Sequence, residues 1–393
     1  MLAHKIELKV NNKQKTYLTK AAGVARFAYN WALNEWQKDY AAGLKPSDPS
    51  LRRKLNSIKR TEFPWMLEVT KNAPQMAIIQ LGQAFKHFFA KRTAYPRFRK
   101  KGVHDRFTLS NDQFTVNASR IRIPHLGWVR MRESLRFEGK ILSATISRRA
   151  NKWFVSLNVE TTTISTSFTD NENQVAVGID LGLSQFATLS TGTVITGPKP
   201  HKAKLNRLRR LSKSLSRKQQ GSANRKKASV KLAKLHYQIA NIRNDAIHKL
   251  TTQISTDFST MVIEDLHVKG MVKNRKLSRS IADMGFYEFR RQIEYKAALK
   301  NKKVIVADRW FASSKICSVC TIKNTALTLS VREWECQQCG TRHHRDINAA
   351  KNLEKLAVSF TASACGASAD GVMVFAMASH DALKQESNAK LIY

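Results

Sequence analysis

The sequence predicts a multidomain chain: a helical N-terminal region, a small antiparallel β-barrel, and an α/β domain that carries an inserted four-cysteine metal ribbon. Three observations point there. At 393 residues the chain is too long for one compact core, so two to four domains are expected. Apolar residues recur at helical spacing up to about residue 90, alternate with period two from 106, and from 174 strand-like runs alternate with helix-like ones. Two Cys-x2-Cys pairs stand fifteen residues apart near the end.

The first ten residues, HKIELKV included, alternate and are expected to lend a strand to the barrel, so residues 1–15 are assigned there. Residues 16–105 form the helical region. AAGVARFAYNWALNEWQ places Val24, Phe27, Ala28 and Trp31 on one stripe, and NAPQMAIIQLGQAFKHFFAKR continues with Ile78, Leu81, Phe85 and Phe88. These aromatics read as core. The region closes in KRTAYPRFRKKG, where six of the eleven residues 91–101 are basic and Tyr95 and Phe98 lie between them. Basic residues interleaved with aromatics suit a nucleic-acid strand with stacked bases, which makes Arg97, Arg99, Lys100 and Lys101 candidate contacts; a solvated linker is the other reading. Residues 106–170 hold six short alternating runs (RFTLS, FTVNA, RIRIP, GWVRMR, ILSATISRR and KWFVSLNVE) separated by turn residues, then the linker-like TTTISTSFTDNEN at 161–173.

The α/β domain begins at 171 and its first part runs to 312. QVAVGIDLGLSQFATLSTGTVI reads as strand, tight turn, strand. Residues 201–250 hold fifteen Lys and Arg against one acid, Asp245, with Gly221 and Ser222 dividing two helices; Arg207, Arg210 and Arg225 are candidate nucleic-acid contacts. TMVIEDL is a short apolar strand, GFYEFRRQIEYKAALKN an amphipathic helix with Phe286, Phe289, Ile293 and Ala297 on one face, and KVIVADRWF another strand. The cysteine section occupies 313–343. INAAKNLEKLAV is the last helix, within 344–360, and the small, polar tail 361–393 is expected to be disordered.

Charge narrows the function. With 68 Lys and Arg against 29 Asp and Glu, the net charge of +39 calls for a polyanion, and nucleic acid is the usual one. No apolar run approaches the ~18 residues that span a bilayer, and the N-terminus has no apolar signal core, so no membrane partner and a cytoplasmic location are expected. Four of the five cysteines form CSVC and CQQC, a metal pattern rather than a disulfide framework.

Three acids stand in unusual places. Asp180 ends VAVGID, Glu264 and Asp265 end MVIED, and Asp346 opens the last helix. Asp is depleted in strands. Each has an ordinary reading: a turn residue, an exposed strand end, a helix N-cap. Taken together, carboxylates from two strand ends and a helix start can converge, and their repulsion then calls for a cation. Mg²⁺ suits such a set, and two Mg²⁺ ions about 3.5–4 Å apart clamp the attacking and leaving oxygens of a phosphoryl displacement. On an α/β scaffold in a basic chain, this is the pattern of a nuclease or strand-transfer site.

In order, GIDLG, the IEDL strand end, FASSKICSVC, CQQCG and RDINAAKN resemble the signature blocks of the transposon-encoded TnpB family, RuvC-like proteins related to the type V CRISPR effectors. RFAYNWAL and YPRFRKK resemble that family's N-terminal half, and the resemblance covers about residues 1–358. It implies an RNase H-like (RuvC) fold with catalytic, Mg²⁺-holding acids at Asp180, Glu264 and Asp346; periodicity leaves Glu264 and Asp265 open, and the family block selects Glu264. It implies a guide RNA from the transposon end, a recognition lobe at 16–105 and a wedge at the barrel. Where His344 stands, the family usually has an acid.

Cys317, Cys320, Cys336 and Cys339 have zinc-ribbon spacing and would hold one structural Zn²⁺; His343 or His344 could replace a ligand, but four thiolates already fill the shell, so both are read as polar loop residues. The expected function is an RNA-guided DNA endonuclease carried by an insertion sequence. It would act with two Mg²⁺ on double-stranded target DNA beside a short motif that the protein reads. A transposase doing strand transfer with the same acids, and a guided DNA-binding protein without cleavage, are the alternatives.

Overall fold

The computed structural model describes residues 1–161, 175–328 and 330–364, with side chains up to 357. The expected linker lies outside these residues apart from its first position. The expected disordered tail lies outside them from 365 onward, and its first four residues continue the last helix. The chain divides into two compact units, within 1–163 and 164–373. No helix among the described residues is long and apolar enough to cross a membrane.

In the first unit, β1 (Leu2–Lys9) leads into α1 (Asn12–Ala41), followed by α2 (Asp48–Ile58) and α3 (Asn72–Phe89). Helix α1 starts four residues before the expected position because Asn11 and Gln14 form a reciprocal capping box: Gln14 N donates to Asn11 Oδ1 at 2.8 Å and Asn11 N to Gln14 Oε1 at 3.1 Å. Then come β2 (Arg106–Ser110), β3 (Thr115–Asn117), β4 (Arg120–Ile123), β5 (Gly127–Met131), β6 (Lys140–Arg149) and β7 (Lys152–Glu160). The seven described strands form one antiparallel sheet in the order β2-β6-β7-β1-β5-β4-β3, so the N-terminal strand sits at its centre. The expected barrel is an open sheet: no ladder among the described residues joins β2 to β3, since β3, at three residues, pairs only with β4.

Helices and sheet share a single hydrophobic core, in which Leu18, Leu33, Ile78, Leu81 and Phe85 meet Ile6, Ile121, Trp153 and Val155. Val24, Ala28, Ile78, Leu81 and Phe85 are buried as the helical stripes predict, while Phe27, Trp31 and Phe88 are partly buried against the same core. Trp36 stacks on Phe85 at 4.0 Å between ring centroids.

The second unit begins with β8 (Ala176–Leu181), β9 (Ala187–Leu189) and β10 (Val194–Ile195). The helices α4 (Pro200–Ala203), α5 (Leu205–Ser216) and α6 (Ala223–Asp257) follow, the last capped by Ser222. After them come β11 (Thr260–Glu264), α7 (Val268–Lys273), α8 (Ser278–Met284), α9 (Phe286–Leu299) and β12 (Lys303–Ala307). The hairpin β13 (Glu333–Glu335) and β14 (Arg342–His344) runs directly into α10 (Arg345–Ala364). The main sheet has the order β10-β9-β8-β11-β12, with β8, β11 and β12 parallel and β9 antiparallel to both its neighbours.

Alternation along the parallel strands sorts the two faces of this sheet. Val177, Ile179, Met261 and Ile263 pack with Ile247 and Ile254 of α6 and Phe286, Phe289 and Ile293 of α9. Val262, Ile305 and Ala307 pack with Leu353 and Ala357 of α10. Gly178 lies beside Val262 on that second face. A Cβ at Gly178 would sit 1.9 Å from the Ala350 carbonyl oxygen and 2.5 Å from the Glu354 nitrogen, so α10 rests its backbone on bare strand. Gly178→Ala is expected to push α10 off the sheet and cost about 1–3 kcal/mol or more, measured as a lower Tm. An unchanged Tm would mean that the helix does not lie on β8 at this point.

Candidate active site and metal centre

The register that places Gly178 also gathers the acids. Ile263 pairs with Ile179 in parallel, so the next residues, Glu264 and Asp180, lie side by side on the α10 face. Asp346 is the second residue of α10, one turn before Ala350, which rests on Gly178. It therefore lies inside the helix, where a first-turn acid complements the helix dipole, rather than at the N-cap position.

The electrostatics show their closeness. Burial raises the Asp180 carboxyl well above the usual carboxylate range, and the charges of Glu264 and Asp346 raise it further against Arg345 and Arg332. Burial also raises Glu264, opposed by the Ser313 hydroxyl, which donates to Glu264 Oε1 at 2.7 Å, and by Arg345. Asp346 accepts from Arg332 Nη1 at 3.1 and 3.4 Å. The donor set fits a hard divalent cation, because a positive ion would relieve the repulsion that now favours protonation. Among the described residues only the four cysteines bring every ligand atom within 4.8 Å; the carboxylates are neighbours without being drawn together that tightly.

The choice between Glu264 and Asp265 has a structural answer. Asp265 accepts from Arg290 Nη1 at 2.6 Å and also from Arg309, and although burial pushes its carboxyl up, the two guanidiniums hold it below the usual range. It is an ion-paired strand end, and Glu264 is the acid that faces Asp180.

The INAAKN stretch has two faces. Ala349, Ala350 and Leu353 are buried, the alanines and leucine serving the sheet side, while Asn348 and Asn352, four residues apart, are buried against the loop after β12. Asn348 Nδ2 donates to the Ile316 carbonyl at 2.7 Å and its Oδ1 accepts from Ser318 N at 2.8 Å. Asn352 Nδ2 donates to the Ser313 and Ile316 carbonyls at 2.8 and 2.6 Å. These bonds fix Ser313, which in turn holds Glu264.

The first cysteine pair sits on that loop and the second on the β13–β14 hairpin. Cys317 and Cys339 sulfurs are 3.7 Å apart, Cys320 and Cys336 sulfurs 3.5 Å. Hydrogen bonds with the Thr341 hydroxyl and backbone pull the Cys339 thiol down to about 6. Cys320 is pulled down by the Ile322 backbone yet pushed further up, to about 12, by desolvation and the other three sulfurs. Four thiols this close cannot all ionise unless a cation compensates, so the cluster could hold a zinc ion. The loop reading of His343 needs correction: it lies on β14, is 8% exposed, packs on Trp334, and puts Nε2 3.0 Å from Cys317 Sγ. The imidazole edge thus abuts the sulfur and orients it. His344 is an exposed strand residue paired with Glu333.

The basic candidates divide. Arg97, Lys100, Lys101, Arg207 and Arg210 are exposed. Arg99 is not offered to a ligand: its guanidinium lies 3.7 Å over the Tyr29 ring and bonds Gln80, and burial lowers it to about 10. Arg225 caps the end of α5, donating to the Leu215 and Lys218 carbonyls at 3.1 and 2.7 Å. Sequence reasoning missed Ser313, Arg332 and Arg345, and it read His343 as a loop residue. The buried Asn348 and Asn352 left a signal, two amides at helical spacing beside an apolar stripe.

The chain is similar to known families and proteins. Residues 156–275 match the OrfB_IS605 family model, described as "Probable transposase", and residues 286–353 a "Cas12f1-like, TNB domain". Residues 1–45, here β1 and α1, match a "Helix-turn-helix domain" model. The chain is 39% identical over 381 residues to a Streptomyces pristinaespiralis protein named "Putative RNA-guided DNA endonuclease", covering 94% of this chain and 91% of that one. It is 34% identical over 382 residues to "Putative RNA-guided DNA endonuclease InsQ" of Escherichia coli (strain K12), covering 93% and 94%. The fold resembles that in the "Cryo-EM structure of the Cas12f1-sgRNA-target DNA complex", with a TM-score of 0.53 and 15% identity over 88% of this chain and 83% of that one. The chain belongs to the TnpB family.

Two outcomes are expected. Freshly purified, reduced protein should contain one zinc per chain by metal analysis, and Cys336→Ser should lose it together with several degrees of Tm; zinc-free wild-type protein would contradict the metal centre. The second concerns pH. A carboxyl whose folded pKa is raised contributes stability that is fully present below its unfolded value, about 4, and lost as pH rises through the folded value. The Tm of protein free of divalent cations should therefore fall as pH climbs from the ordinary carboxylate range, and Asp180→Asn should raise the Tm at neutral pH and flatten that slope. An equal slope in the variant would show that Asp180 is not the strained acid.

Proposed function

We propose that this protein is an RNA-guided DNA endonuclease of an insertion sequence, with the second unit as its RNase H-like (RuvC) nuclease domain. The observation that carries this is the convergence of Asp180, Glu264 and Asp346 on one face of the parallel sheet, with the proton affinity of Asp180 raised by the other two. These three would hold Mg²⁺, which when bound supplies charge for the attacking and leaving phosphodiester oxygens. Ser313 fixes the rotamer of Glu264, and Arg332 fixes the carboxylate of Asp346. Arg345, whose charge reaches both Asp180 and Glu264, tempers their repulsion before a cation arrives. Zn²⁺ on the four cysteines would be structural, because four thiolates leave no open position.

The partners follow from charge and kinship. A chain of net charge +39 binds polyanions, and the relatives' names specify RNA guidance and DNA cleavage. The guide would come from the transposon end and pair with double-stranded DNA beside a short motif read by the protein. The 16–105 helices would serve as recognition lobe and the first unit's sheet as wedge.

Asp180→Ala, Glu264→Ala and Asp346→Ala should each lower guided cleavage by about three orders of magnitude or more, since lost charge stabilisation of several kcal/mol is tenfold per 1.36 kcal/mol. Binding of RNA and DNA in gel shifts should be nearly intact. Cleavage should require both Mg²⁺ and the RNA. Sequence-specific cutting that survives complete RNA removal would overturn guidance, and joined rather than hydrolysed ends would mark a strand transferase.

A further inference from the structure

The first unit carries a cavity of about 300 Å³ on the outward face of its sheet, lined by Lys9, Asn11, Gln14, Arg120, Trp128 and Arg130. Strand alternation creates it. Ile121, Ile123, Val129 and Met131 of β4 and β5 turn into the core, which leaves Arg120, Arg122, Trp128 and Arg130 outside. The ladders then align the charges: Lys9 pairs with Arg130, Arg130 with Arg120, and Arg122 with Trp128. Three cations thus stand in one row across three adjacent strands. Like charges directly opposite one another destabilise a sheet. Among the described residues none of the four cations has an acid partner; Glu7, the acid of β1, is taken by Arg132 and Lys152. The row is left for an anion from outside the chain to offset.

Trp128 is the second anomaly. It is 43% exposed in the middle of this cationic face. It is also rigidly presented, because its backbone belongs to the β4–β5 ladder and its carbonyl accepts from Gln14 Nε2 at 3.1 Å. An open aromatic face among unpaired cations matches a nucleotide, with the base on the ring and the flanking phosphates on the cations. Strands about 4.8 Å apart make the row about 10 Å long, enough for two neighbouring phosphates. A duplex offers phosphates but no free base face.

We propose that this cavity holds an unpaired nucleotide of bound RNA, its base stacked on Trp128 and its flanking phosphates on Lys9, Arg120 and Arg130. The choice of RNA rests on the RNA-guided reading above: a folded guide carries unpaired bases permanently, whereas target DNA exposes them only after unwinding.

The test uses the full chain, freed of co-purified nucleic acid at high salt, and short unstructured strands containing 5-iodouridine or 5-iododeoxyuridine. After irradiation and trypsin digestion, the ribonucleotide should be found on the peptide spanning 123–130 at Trp128. Trp128→Ala should bind the RNA strand about five- to one-hundred-fold more weakly, Trp128→Phe should recover most of that affinity, and blunt duplex DNA should bind all three proteins alike. Adducts only on other peptides, adducts at Trp128 from the DNA strand alone, or an alanine variant that binds the RNA strand as tightly as wild type or loses duplex affinity equally would each overturn the site. Guided cleavage by wild-type protein is scored separately: an adduct at Trp128 without guided cleavage keeps this site and removes the nuclease reading, and cleavage without the adduct does the reverse.

Discussion

The second unit depends on the contact between the α10 backbone and Gly178. A helix normally stands off a sheet by the depth of its side chains, about 10 Å between layers. Here a glycine on β8 and alanines at 349 and 350 remove that depth, so the helix start comes down onto the strand end. Asp346, one turn before Ala350, then reaches the neighbourhood of Asp180 two residues along β8 from Gly178. The same small-residue contact that makes the helix fit the sheet makes the acids neighbours. No separate device is needed to bring a residue far along the chain to the ends of β8 and β11.

Holding that arrangement costs electrostatic energy, and the surrounding residues are arranged around the cost. Three carboxylates share a crowded face, and Asp180 answers by favouring its proton. Arg332 and Arg345 offset part of the repulsion from the edge, and Ser313 does so by a hydrogen bond to Glu264. Asn348 and Asn352 tie this local electrostatics to the metal ribbon, since they bond the loop that carries both Ser313 and the first cysteine pair. The ribbon is therefore mechanically continuous with the acid site: Cys317 lies four residues from Ser313, and β14, which presents His343 to Cys317, continues into the helix of Asp346 without an intervening loop. A cation at the cysteines would stiffen both sides of the carboxylate set.

Much of this was legible in the sequence, for a physical reason. Strand-helix alternation, the cysteine spacing, and the oddity of acids at apolar strand ends are one-dimensional signals, and the order of strands and helices follows them. What the sequence withheld were pairings. Asp265 and Glu264 are adjacent on one strand end, and only the arginines at 290 and 309 show which one is already neutralised. Arg99 and Arg225 look like their exposed neighbours until Tyr29 and the end of α5 are seen to claim them. His343 reads as a loop residue because nothing local says that β14 turns it inward. The capping box at Asn11 and Gln14 was a local signal and would have placed the start of α1. The closed barrel failed for a different cause: alternation reveals that strands exist but not whether the outermost two meet.

The first unit shows the converse of the acid site. There a single core unites three helices with the sheet, so one face of the sheet is committed to packing. A free antiparallel face is ordinarily a mixture of signs, because cross-strand pairs of opposite charge stabilise it and like pairs do not. Along the Lys9, Arg130 and Arg120 row the mixture is absent, and the large apolar group beside it is an open indole. Both units therefore gather like charges, buried and negative in the second, exposed and positive in the first. A counter-charge from outside the chain would offset each cluster, a divalent cation in one case and a phosphodiester strand in the other. Because a ligand that binds only the folded state adds its binding free energy to stability, such a counter-charge would stabilise each unit at that cluster.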